Sequence, residues 1–162
     1  MKIKISVVIV IALIMQFSYA QEEKMASVVQ YDDYINSSKT STKHAKPLRI
    51  ESLINNLQSA TYLEFDGVKT YGAKPICLFS SSKNISNVKS FKFDKENIEI
   101  INIRINTFDD LKSTIDCSLF SDFKKLKYIY IISDIKCNEI DINPIIKNVG
   151  NYIILFKIAD NS

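Results

Sequence analysis

Apolar residues recur along this chain in two alternating rhythms, one of helical period and one of strand period. Within 117–126, Leu119, Phe120, Phe123 and Leu126 fall at helical spacing, with Asp122, Lys124 and Lys125 between them. The stretch 127–133 follows at once, β-branched and aromatic with no Gly or Pro, and predicts a buried strand. Leu48, Ile50, Leu53, Ile54 and Leu57 likewise predict an amphipathic helix ahead of a strand over 60–65, with Asp66-Gly67 as a turn. Pro75 opens a strand over 76–79 that Ser80, Ser81 and Ser82 break. A helical or irregular piece around Ile85 and Val88, a strand over 90–93, a turn over 94–97 and a long strand over 98–105 come next. Thr107 reads as an N-cap, with Asp109 and Asp110 at the positive end of a helix continuing to Ile115. Asn143-Pro144 starts another short helix through Val149, Gly150 is its expected C-cap, and 152–158 is the last strand. Alternation of this kind predicts an α/β layer, with short amphipathic helices between Ile-rich strands.

The strands also share an internal pattern. Ala60-x-x-Leu63-x-Phe65 returns as Val88-x-x-Phe91-x-Phe93, and Ile98-x-x-Ile101-x-Ile103 returns as Leu126-x-x-Ile129-x-Ile131 and Val149-x-x-Tyr152-x-Ile154. The fullest copy is Ile98-x-x-Ile101-x-Ile103-x-x-Asn106-x-Phe108, and Asp134 takes the corresponding polar place after the 126–131 copy. This series resembles the leucine-rich repeat, L-x-x-L-x-L-x-x-N-x-L, whose period is about 20–29 residues. In that family each repeat supplies one strand of a curved parallel sheet, and the Asn satisfies backbone groups at the turn. The resemblance implies an irregular, leucine-rich-repeat-like parallel sheet over 48–162. Val88 and Ile98 are too close for both to start full repeats. A compact open α/β sandwich, with mixed strand directions and a local hairpin within 90–105, is the alternative.

Domain organisation follows from composition. The chain has 162 residues, enough for one domain with a real core. Residues 1–20 have the layout of a cleaved signal peptide: a basic start at Lys2 and Lys4, an apolar run over 7–15, and Ser18-Tyr19-Ala20 before the cleavage point. Gln16 and Ser18 interrupt the run well short of the roughly 18 apolar residues that span a bilayer. Residues 21–47 are polar and mixed, with Met25, Val28, Val29 and Ile35 as material for a short helix, and read as a mobile N-terminal arm. The single α/β domain is expected over 48–162. Export, periplasmic or to the medium of a bacterial cell, is the implied destination, and no later segment is long enough to cross a membrane.

Charge and chemistry narrow the function classes. Leader removal takes two of the 21 basic residues, leaving one more than the 18 acidic ones. Such near-neutrality argues against a nucleic-acid surface. His44, the only histidine, lies in the polar arm, where nothing packs it against a nucleophile. The cysteines lack C-x-x-C spacing, no metal or cofactor motif occurs, and no catalytic pattern is found. No cofactor is expected. In an oxidising compartment Cys117 and Cys137 could bridge, closing a loop of about twenty residues worth ~3 kcal/mol. Otherwise Cys77, Cys117 and Cys137 are buried thiols that pack as small hydrophobes.

What remains is surface. If Ile129 and Ile131 face the core, then Tyr128 and Tyr130 point the other way, with Asn102 and Arg104 beside them and Glu64 and Asp66 on the first strand. Tyrosine and arginine on one face have the composition of an interaction hot spot. Helices covering that face would instead make the tyrosines core. The expected function is a small exported binding protein with a protein partner. An envelope inhibitor or immunity-type protein is the second reading, and an enzyme without recognisable motif a third.

Overall fold

Parallel strands laid down in chain order form the body of the molecule. A computed structural model describes residues 28–40 and 48–159. The signal-peptide layout of 1–20, the rest of the arm over 21–27 and His44 lie outside the described residues. The strands are β1 (Val28–Gln30), β2 (Ala60–Glu64), β3 (Gly67–Tyr71), β4 (Cys77–Ser81), β5 (Ile100–Ile105), β6 (Ile115–Asp116), β7 (Tyr128–Ser133), β8 (Ile146–Lys147) and β9 (Ile153–Ile158). Seven of them form one open sheet in the order β1-β9-β7-β5-β4-β2-β3. From β2 through β4, β5 and β7 to β9, each strand lies parallel to its predecessor. The architecture is mixed α/β, with four short α-helices among the described residues.

Register puts one row, Thr61, Leu78, Ile101, Ile129 and Ile154, on the inner face. A second row, Leu63, Ser80, Ile103, Ile131 and Phe156, lies on the same side. Every member of both rows is buried. Behind them β6 and β8 pair in parallel as a second, two-stranded sheet, so the crossovers travel along the back of the core. Phe120, Phe123, Ile142 and Ile145 fill the space between the layers. Burying each such side chain is worth about 1.5–3 kcal/mol, enough to hold the rows together without a ligand.

The back of the molecule is less helical than the hydrophobic spacing predicts. Helical residues over 117–126 reduce to a 3-10 turn, Cys117–Phe120, followed by further turns that still bury Phe123. A local side-chain hydrogen bond at the start of this stretch competes with helix continuation. Asp116 Oδ1 accepts from the Ser118 N–H at 2.9 Å. Thr107 does start a helix, but a 3-10 one ending at Lys112, and Ile115 belongs to β6. Asn143–Ile145 is again 3-10; Gly150 takes the expected left-handed conformation, φ +59°, in the turn from β8 to β9 and not at a helix end.

Two expectations about strand pairing fail. Residues 90–93 form no strand, and no hairpin crosses 94–97; Phe91 and Phe93 pack against the core from bends. Among the described residues the one antiparallel pair is β2–β3, closed by the turn at Phe65 and Asp66. The boundary also moves. Val28–Gln30 adds to the sheet as a parallel edge strand on β9, and α1 (Tyr31–Thr40) buries Tyr31 and Ile35. Residues 28–40 are therefore part of the folded unit and not of a preceding arm. Two adjacent valines beside an unpaired strand edge favour β pairing over the weak helix that their spacing suggests.

Cys77, Cys117 and Cys137 are free thiols, so no bridge joins Cys117 to Cys137. Cys137 Sγ instead donates to Ser133 Oγ at 3.1 Å. Burial pushes the Cys117 thiol up to about 12 and the Cys77 thiol up to about 11, which keeps both inert near neutral pH. Alkylation without reductant should label Cys137 first in the native protein and all three after denaturation. A denatured product two labels short by mass spectrometry would restore the bridge.

Candidate functional site

The second face of the sheet is where the nominated residues were expected to meet. Its rows are set by the same register. Ala60, Cys77, Ile100, Tyr128 and Ile153 form the row at the start of the strands. Tyr62, Phe79, Asn102, Tyr130 and Leu155 form the next. Ser81, Arg104, Ile132 and Lys157 form the third, at the strands' C-terminal ends, and Glu64 closes β2 beside them.

Two helices lie across the first two rows. They are α1 and α2 (Arg49–Asn55), which buries Ile50 and Leu53 and whose first turn is tied by Glu51 accepting from the Leu48 N–H at 3.0 Å. Tyr31, Ile35, Ile50 and Leu53 join Ala60, Cys77, Ile100, Tyr128, Tyr130 and Leu155 in a second apolar cluster. Tyr128 is 4% and Tyr130 5% exposed, and the Tyr31 and Tyr130 rings sit 5.5 Å apart. Desolvation raises the Tyr130 hydroxyl well above its ordinary pKa. Asn102 is buried too, its Nδ2 reaching the Leu78 carbonyl at 3.4 Å. An open tyrosine ledge is thus corrected: helices cover this face as they cover most parallel sheets, and Tyr128, Tyr130 and Asn102 serve packing.

Arg104 is different. Its side chain is 58% exposed and grips Asp134 with two hydrogen bonds, 2.7 Å from Nε and 2.8 Å from Nη2. That pairing lowers the Asp134 carboxyl and raises the guanidinium. Glu64 pairs with Lys69 across the β2–β3 hairpin, and Asp66 is exposed in the hairpin turn, away from the row. Of the six nominated face residues, the fold leaves Arg104, Glu64 and Asp66 accessible, at two different strand ends.

A partly open strip survives beside the helices. Tyr62 and Phe79 stack at 4.8 Å with an 11° interplanar angle, and Tyr71 meets Tyr62 edge-on at 5.6 Å. Tyr71 is 61% exposed, and Tyr62, Phe79 and Ile132 are half-buried. Arg104 and the Lys69–Glu64 pair flank these rings. Alternation along 60–64 could have placed Tyr62 on the face that Glu64 occupies. Tyr71 had no such signal, because β3 hides in a polar, glycine-started run, GVKTY.

Elsewhere, the adjacent carboxylates at 109–110 are structural. Asp110, 2% exposed, accepts from the backbone N–H groups of Asn106 and Thr107 at 2.8 and 2.9 Å and meets Lys83 at 3.3 Å. Among the described residues no group of three or more His, Cys, Asp or Glu is placed to hold a metal ion, and no helix is long and apolar enough to cross a membrane. What the strip offers is stacking area, a planar guanidinium and charges already engaged within the chain. Set against protein-family models, curated proteins and solved structures, the chain matches none.

Proposed function

We propose that this is an exported binding protein, an irregular leucine-rich-repeat-like solenoid that recognises a protein partner through the strip formed by Tyr62, Phe79, Tyr71 and Arg104. The observation that carries the reading is that strip: aromatic rings and an arginine left accessible at the end of a sheet face whose remainder is covered. Aromatic and arginine side chains supply most hot-spot energy at protein interfaces. The chain-order succession of parallel strands, with crossovers running behind them, supports the repeat-like reading. Recognition is favoured over catalysis because Lys69, Arg104 and Lys157 each already hold a carboxylate of the same chain.

The test uses the mature chain as bait against envelope and culture fractions, with Tyr71→Ala and Arg104→Ala as controls. Both residues are exposed, so each substitution should move the melting temperature by only a few degrees. Each should weaken capture of a specific partner by about tenfold or more. Undiminished capture by the double variant would sink the assignment of the strip.

A further inference from the structure

One of the two helices over the tyrosine face, α1, is joined to the sheet through a short edge strand. β1 contributes three paired residues, whereas β7 and β9 share six. The second half of α1 is built from poor helix formers, Asn36, Ser37, Ser38 and Thr40. Three of its hydroxyls bond backwards: Ser37 and Ser38 to the Tyr34 carbonyl at 3.0 and 2.8 Å, and Thr40 to that of Asn36 at 2.6 Å. Such back-bonding destabilises and bends helices. Two side chains of α1, Tyr31 and Ile35, are buried. Its ion pairs each have one well-exposed partner, Asp32 with Lys157 at 3.4 Å and Lys39 with Glu51 at 2.7 Å, and Tyr31 also hydrogen-bonds Asn55 of α2. Exposed pairs of this kind contribute little.

Beneath this cover the sheet is not weak. Ile100, Tyr128, Tyr130 and Leu155 belong to strands whose other face is the main core. Removing β1 and α1 would leave those strands paired on both sides except at β9, with α2 still in place, and would bare the Tyr130 ring on which Tyr31 packs, in the same row as Tyr62 and Phe79.

We propose that Val28–Thr40 is a detachable strap that opens as a unit while the sheet stays folded, and that its opening enlarges the binding strip by uncovering Tyr128 and Tyr130. The gating half of this proposal rests on the binding reading above; the opening half does not and is tested without a partner. Hydrogen exchange on the mature protein should show the amides of 29–40 exchanging at least about 100-fold faster than those of β5 and β7, through an opening that responds weakly to low urea. Tyr31→Ala, which removes the ring packed on Tyr130, should speed strap exchange by about tenfold and leave β5 and β7 unchanged. Ser37→Ala, an exposed change toward higher helix propensity, should slow strap exchange a few-fold. Strap and sheet amides exchanging at one rate, or responding together to either substitution, would overturn the strap. With a captured partner in hand, Tyr31→Ala should raise its affinity about tenfold, because a larger fraction of molecules is open. Unchanged affinity overturns the gating alone. Loss of capture in Tyr71→Ala or Arg104→Ala reports on the strip itself.

Discussion

Replacing Tyr130 by alanine is expected to cost about 3 kcal/mol of folding stability, the scale of a large-to-small change in a packed interior. The residue stands in the middle of the second row, between Asn102 and Leu155, and the Tyr31 ring closes over it. Truncation removes the ring from a site that the neighbouring strands, fixed by their register, have little freedom to refill. Part of the loss falls on the docking of α1, so exchange in 29–40 should rise more than exchange in β5. Arg104→Ala, two residues' register away on the adjacent strand, removes an exposed pair worth about 0.2–1 kcal/mol. Urea unfolding of the two variants side by side measures the contrast. A loss below about 1 kcal/mol for Tyr130→Ala would mean that the second face is open after all.

Asp110→Ala carries the second large effect, about 2 kcal/mol, because it strips the acceptor from two backbone N–H groups and leaves Lys83 without its carboxylate. The side chain acts where β5 ends, holding Asn106 and Thr107 in the turn that sends the chain to the back layer. Burial pushes this carboxyl's pKa up, but the hydrogen bonds from Asn106, Thr107 and Lys83 together outweigh burial and hold it below its ordinary value. A depressed folded-state pKa gives stability that is full above the unfolded value, near 4, and is lost as pH falls through the folded value. Glu99 beside Arg49, Asp134 beside Arg104 and Asp116 beside Asn148 are lowered in the same direction. The protein should therefore lose stability on acidification below about pH 4, and Asp110→Ala should flatten that loss. An acid limb identical in the wild type and the variant would show that Asp110 is not a contributor. Asp110→Asn keeps an acceptor oxygen without the charge and should fall between the two.

How much of this was legible in the sequence depends on which force places each residue. β5, β7 and β9 are near-continuous Ile-rich runs, and their burial on the inner face follows from composition alone. β2 and α2 were equally readable, each from a single period. β1 and β3 were not, since both are edge strands whose pairing depends on a partner surface rather than on a local pattern. The 3-10 turns at the back defeated helical spacing because Asp110 and Asp116 hydrogen-bond nearby backbone N–H groups there, an effect that apolar periodicity does not register. For the face, strand alternation placed Tyr128, Tyr130, Asn102 and Arg104 correctly on one side. It could not say which of them a distant helix would cover, because α1 reaches Tyr130 from about a hundred residues upstream.

The edge pairing of β1 with β9 also imposes an order on events during synthesis. Val28 meets Ile154, Val29 meets Leu155 and Gln30 meets Phe156, so the first described segment to emerge from the ribosome pairs with the last described strand. The strands from β2 to β7 can condense in sequence, each onto its predecessor, with modest loop closures. β1 and the helix behind it have no edge to join until β9 is complete. Once made, Tyr128 and Tyr130 therefore stay bare until β9 is in place and β1 can bring α1 over them, and this is the interval in which the nascent sheet exposes its second apolar face.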